Sequence, residues 1–115
     1  MSSFETSVQP DELDTQVLHA VGDLDLATAP LLLARAEELL GATCERFRLD
    51  LSAIRFIDST GVGALIKIRN LVHERGGSLE IARSSPAVER VLALVGLAHL
   101  FSSDGEAGPP PQQGD

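Results

Sequence analysis

The chain has 115 residues, with nine Lys plus Arg against 17 Asp plus Glu and 43% apolar residues. That length fits one domain with one real core, and the apolar content excludes wholesale disorder. A formal charge of −8, with Lys67 the one lysine and the arginines dispersed, excludes the basic stripe a nucleic-acid binder needs; it also repels anionic lipid and suits either a basic protein partner or plain solubility.

Short apolar runs alternating with helical periods predict an α/β or α+β domain. Phe4 to Val8 reads as a first strand, followed by an acidic turn over Pro10 to Asp14. Gln16 to Val21 reads as a second strand, close enough to pair with the first as a hairpin or as a neighbour. Gly22-Asp23 breaks that pattern, and Thr28 is the expected N-cap of a helix with Pro30 in its first turn. Leu32, Ala36, Leu39 and Leu40 recur at helical spacing, and Gly41 is placed to end the helix.

Phe47 to Leu51 alternates as a strand should and runs on into a short apolar segment. A βαβ unit follows: Val62, Leu65, Ile66 and Val72 share a helical face, Gly76-Gly77 stops the helix, and Ser78 to Ala82 forms the next strand. Ser85 and Pro86 are the N-cap and first residue of a last helix bearing Val88, Val91, Leu92 and Val95, with Gly96 at its end. Leu100-Phe101 is a candidate final short strand. The inward-pointing positions predict a core of Leu18, Leu32, Ala36, Leu39, Leu49, Leu51, Ile54, Val62, Leu65, Ile66, Ile81, Val88, Val91, Leu92 and Leu97. Residues 1–103 form the domain. Residues 104–115, rich in Gly and Pro, form a disordered tail with almost nothing to bury.

Most of the usual chemistry lacks its parts. Cys44 stands alone, so no internal disulfide and no cysteine-based zinc site can form, and the default compartment is the reducing cytoplasm. The longest uncharged stretch, Val91 to Ser103, is too short to cross a bilayer, and no basic-then-apolar leader opens the sequence. Four Phe with no Trp or Tyr give no base-stacking platform. His19, His73 and His99 share no short-range pattern with an acid or a nucleophile, and no metal-ligand spacing occurs. Asp23 and Asp25 form a solvated turn or a carboxylate pair. Gly61-x-Gly63 opens a helix without the glycine spacing or the Lys-Ser/Thr pair of a phosphate loop; its glycines read as close helix–strand packing, and Lys67 as a solvent-facing helix residue. No catalytic residue, metal or cofactor is assigned.

The most informative stretch is Leu49 to Leu65, LDLSAIRFIDSTGVGAL, a strand leading through Asp58-Ser59-Thr60-Gly61 into a helix. A hydroxyl there lies beside free backbone N–H groups and the positive end of the helix dipole. Asp58 or Ser59 can serve simply as the N-cap. The sharper reading makes Ser59 a phosphoacceptor, its phosphate held by the N–H groups and repelled by Asp58 and, if near, Asp25.

The ordered set of segments resembles the anti-sigma factor antagonists of the STAS-domain family. It comprises Gly22-Asp23-Leu24-Asp25 with Thr28-Ala29, then Leu49-Asp50-Leu51-Ser52, then Phe56-Ile57-Asp58-Ser59-Thr60-Gly61-Val62-Gly63. Arg75-Gly76-Gly77-Ser78-Leu79, Ser85-Pro86-Ala87-Val88 and Val95-Gly96-Leu97 follow. The resemblance implies a mixed sheet of four or five strands with helices mainly on one face. It implies a partner-binding surface at Asp25, Asp58, Ser59, Thr60 and Gly61, with Ser59 phosphorylated by an anti-sigma factor that is a serine kinase. The unphosphorylated form binds that partner and frees the sigma factor; phosphorylation ends binding, and a serine phosphatase restores it. The resemblance also implies a C-terminal helix, which Gly108-Pro109-Pro110-Pro111 prevents here. The alternative is a phosphorylation-independent STAS scaffold or accessory subunit of a larger complex, such as a transport complex.

Overall fold

The computed structural model describes residues 4–12, 15–40 and 46–101. Their elements are β1 (Glu5–Glu12), β2 (Thr15–Leu24), α1 (Ala29–Leu40), β3 (Arg46–Ile57), α2 (Ser59–Glu74), β4 (Ser78–Ser84), α3 (Pro86–Leu94) and a closing 3-10 turn, Ala98–Phe101. One four-stranded sheet runs in the order β1-β2-β3-β4, with β1 antiparallel to β2 and the other pairs parallel. The expected mixed α/β sheet is therefore present with four strands. Leu100 and Phe101 lie in the 3-10 turn instead of a fifth strand, and Phe101 is buried in the core.

The crossovers β2-α1-β3 and β3-α2-β4 step in the same direction across the sheet. Right-handed connections then place both helices on one face. Leu18, Leu24, Phe47, Leu49, Leu51, Ile54, Ile57 and Leu79 point to that face and meet Leu32 and Ala36 of α1, Val62, Leu65, Ile68 and Val72 of α2, and Val88 and Leu92 of α3. Ten of the fifteen predicted core residues are buried. The other five, Leu39, Ile66, Ile81, Val91 and Leu97, lie half-buried at its margin. Phe47, Ile68 and Phe101 are core residues that the periodicity did not select.

Several strand limits differ from the expected ones. β1 continues through Pro10 to Glu12 in place of an acidic turn, with Pro10 opposite Gln16. An edge strand tolerates the missing N–H of proline. Gly22 does not end β2; at φ +120° it takes a backbone conformation that a side chain would strain, and the strand runs on to Leu24. β3 extends to Ile57. Two register shifts against β2, between His19 and Val21 and between Gly22 and Asp23, make its buried positions step by three over Leu51, Ile54 and Ile57. Each bulge adds one residue to β3 and turns the strand, so inward positions no longer alternate.

The helix ends follow the sequence. Ser85 caps α3 through Val88 N, with Pro86 as its first residue, and the chain leaves α2 and α3 at Gly76 and Gly96. Gly41 as the end of α1, Cys44, and the tail with its interrupted C-terminal helix lie outside the described residues.

The opposite face of the sheet carries paired polar groups. His19 Nδ1 lies 3.0 Å from Asp50 Oδ2, and its Nε2 lies 3.1 Å from Gln9 Oε1. Arg48 Nε donates to Glu80 Oε2 at 2.6 Å, and Arg55 lies 3.5 Å from Asp23. Burial by itself would raise the Asp50 carboxyl. Hydrogen bonds from the Ser52 hydroxyl and amide and from the His19 ring outweigh it and hold that carboxyl below its ordinary value.

Candidate functional site at the N termini of α1 and α2

Leu24, the last residue of β2, is the register partner of Ile57, the last residue of β3. Because these parallel strands end level, the segments after them emerge side by side. Asp25 and Asp58 each follow their strand directly, and the Asp58 amide donates to Leu24 O at 3.3 Å. Residues 33 positions apart thus meet at the carboxyl ends of adjacent parallel strands, the edge where α/β sheets present their ligand sites.

Asp25 organises the loop before α1. Its Oδ1 accepts from the amides of Ala27 at 3.0 Å and Thr28 at 3.2 Å. Thr28 occupies the predicted cap position, and its carbonyl accepts from Leu31 and Leu32, but its hydroxyl turns backward. That hydroxyl donates to Asp23 O at 2.6 Å and accepts from Asp25 N at 2.9 Å. Thr28 therefore holds the predicted cap position through its carbonyl, while the Asp25 carboxylate closes the turn just before α1. Asp23 and Asp25 do not act as a pair: one meets Arg55 and the other caps the loop.

Asp58 is the N-cap of α2, in extended backbone at φ −118° and ψ −172°, with Oδ1 accepting from Gly61 N at 3.0 Å. This settles the choice of cap in favour of Asp58 and leaves Ser59 as the first helical residue, exposed and with no hydrogen bond from its hydroxyl to any described residue. Thr60 is also exposed, whereas Gly61 is buried. A Cβ on Gly61 would lie 2.6 Å from Leu24 O and 2.9 Å from Ile57 Cγ1. Glycine at 61 is what lets α2 approach the end of β2, the packing role expected of both glycines. Gly63 does not share it, since a Cβ there would meet nothing within 4 Å.

The electrostatics of Ser59 are two-sided. The unpaired amides and dipole of the α2 N terminus favour an anion on its hydroxyl. The carboxylates of Asp58 and Asp25 oppose one. A phosphate would add a charge of about −1.5 to −2 to a surface that is already acidic. His19 is bonded to Asp50 on the outer face of the sheet, and His73 and His99 are exposed near helix ends, so none assists Ser59 as a base. Among the described residues no group of His, Cys, Asp and Glu is arranged to hold a metal, and no helix is long and apolar enough to cross a membrane.

One feature of this end was not selected from sequence. A groove of about 450 Å³ runs between α1 and α2, lined by Leu26, Ala29, Leu33, Thr60, Ala64 and Lys67 among others. Thr60, Ala64 and Lys67 recur at i, i+4 and i+7, so the signal was a second helical stripe beside the core stripe.

The fold and this site together define a two-layer α/β domain that presents a helix-initial serine directly after the capping Asp58, with Asp25 at the end of the neighbouring strand. A sequence model described as "Mlab, STAS domain" matches residues 8–102, and the chain belongs to the STAS-domain family. The chain is similar to the anti-sigma-B factor antagonist of Bacillus subtilis (strain 168), at 28% identity over 108 residues, 92% of this chain and 97% of that protein. It is also 28% identical over 86 residues to the anti-sigma F factor antagonist of Paenibacillus polymyxa, 74% of each chain. Among solved structures, an anti-sigma factor antagonist from Mycobacterium paratuberculosis superposes with a TM-score of 0.75 at 27% identity, covering 86% of this chain and 83% of that one.

Proposed function

We propose that this protein is an anti-sigma factor antagonist, a binding protein switched by phosphorylation of Ser59. The observation that carries this reading is the placement of Ser59. Its hydroxyl is exposed and without a partner among the described residues, at a helix start capped by the neighbouring Asp58 and level with Asp25. Both curated relatives named above are antagonists of anti-sigma factors, which supports the same reading. The unmodified surface binds an anti-sigma factor and releases the sigma factor. That anti-sigma factor is a serine kinase, and the phosphate it places on Ser59 ends binding until a serine phosphatase removes it. Phosphate acts here by charge: it adds to Asp58 and Asp25 at a surface the partner must desolvate, while the core beneath is untouched.

The test compares the affinity of three forms for one anti-sigma factor: unmodified, Ser59→Ala and phosphorylated at Ser59. Ser59→Ala binds like the unmodified protein, because the lost hydroxyl made no bond. The phosphorylated form binds at least tenfold more weakly, and Ser59→Glu falls between them because it carries less charge. Intact mass shows one phosphate per chain, absent from Ser59→Ala and retained in Thr60→Ala. Equal affinity for all three forms refutes the switch and leaves the phosphorylation-independent scaffold.

A further inference from the structure

The groove between α1 and α2 combines three properties. It is open to solvent, so it covers one side of an occupant and not the 70–90% of surface that a small-molecule site typically buries. Its lining is predominantly aliphatic, and Leu26 at its rim is 74% exposed in a loop position that nothing in the fold requires to be apolar. Its far end holds Lys67, the sole lysine in a chain of net charge −8, which makes no ion pair or hydrogen bond with any described residue.

We infer that this groove seats a segment of the anti-sigma partner that carries an aliphatic anchor followed by a carboxylate. The anchor packs between Leu26 and Leu33 over Ala29 and Ala64, and the carboxylate meets Lys67. The inference rests on the proposed function and deepens it, because Thr60 belongs both to the groove and to the segment that bears Ser59. Charge complementarity chooses the occupant. Elsewhere this acidic chain suits a basic partner, and here alone along the groove it offers a cation. Lys67 lies seven residues beyond Thr60, or about 10 Å along the helix axis, more than a Debye length at physiological salt. The Lys67 contact is therefore largely insulated from a phosphate on Ser59: the groove sets which partner binds, and Ser59 sets when.

The experiment measures affinity for the purified anti-sigma factor identified in the three-form comparison. It uses Lys67→Glu, Lys67→Arg and Leu26→Ser, each with Ser59 unmodified and phosphorylated. Both side chains are exposed, and thermal melts check that each variant folds. The expected result is a loss of about tenfold for Lys67→Glu and for Leu26→Ser, with Lys67→Arg within twofold of the parent. The ratio between unmodified and phosphorylated affinities stays the same in every variant. If Lys67→Glu and Leu26→Ser bind within twofold of the parent while phosphorylation still weakens binding, the groove inference is wrong and the switch stands. If the parent itself ignores phosphorylation, the proposed function fails and the groove inference falls with it. Decanoate serves as the small-ligand probe; saturable binding lost in Lys67→Glu, without change in partner affinity, overturns the choice of a protein segment.

Discussion

Gly61 and Gly63 are both helical glycines in the first turns of α2, and alanine at the two sites is predicted to act with opposite sign. In a helix, Ala is favoured over Gly by about 1 kcal/mol. At Gly63 the new methyl meets nothing within 4 Å, so most of that gain is realised as a rise of about 0.5–1 kcal/mol in stability. At Gly61 the methyl falls 2.6 Å from Leu24 O, 2.9 Å from Ile57 Cγ1 and 3.0 Å from Leu24 Cγ. The nearest of these is backbone, which cannot move aside by a rotamer change, and the same carbonyl accepts from Asp58 N at 3.3 Å. Overpacking of this kind costs about 1–3 kcal/mol, and a backbone clash belongs at the upper end. Set against the propensity gain of about 1 kcal/mol, the net loss for Gly61→Ala is about 2 kcal/mol. For a domain of this size that lowers Tm by roughly 10 °C, whereas Gly63→Ala raises it by a few degrees. Urea and thermal melts of the two variants side by side make the measurement. Equal shifts, or a stabilised Gly61→Ala, would refute the argument that close approach of α2 to β2 sets the residue at 61.

Three further outcomes are expected. Leu65→Ala empties a fully buried site on α2 and costs about 2–5 kcal/mol in a denaturant melt; a change below about half a kcal/mol would mean that α2 turns another face to the sheet. Asp25→Ala removes the acceptor for two amides and costs about 1 kcal/mol, whereas Asp25→Asn keeps an oxygen in place and leaves the urea midpoint nearly unchanged. Asn at 25 then alters only partner affinity or the rate of Ser59 phosphorylation. Asp50 has its native carboxyl held low, so its contribution is fully present above the ordinary carboxylate value of about 4 and is lost as pH falls from there through the lowered native value. Asp50→Asn is expected to flatten the dependence of Tm on pH below about 4, and an unchanged acid slope would count against that pairing.

The helix stripes, the Ser85-Pro86 start, the glycine stops after α2 and α3, and the hydroxyl at the head of α2 were legible in the sequence, because each depends on neighbours within about seven residues. The resemblance supplied the mixed sheet and the residues of the site. What local pattern could not supply was strand length and register. Gly22 read as a break and instead lies within β2, opposite a bulge in β3. The exposed pairs Ser52-Ala53 and Arg55-Phe56 obscured a strand that runs to Ile57, because a bulge turns a period of two into a period of three only where a neighbouring strand enforces it. Thr28 is the cap by position, but its hydroxyl is drawn to Asp23 O, and the Asp25 carboxylate closes the turn before α1. The pairing of Leu24 with Ile57, which brings Asp25 beside Asp58 and requires glycine at 61, joins residues 33 positions apart. Sequence periodicity dictates which face of an element turns inward, but the level at which two strands end is decided only when their hydrogen-bond ladder forms.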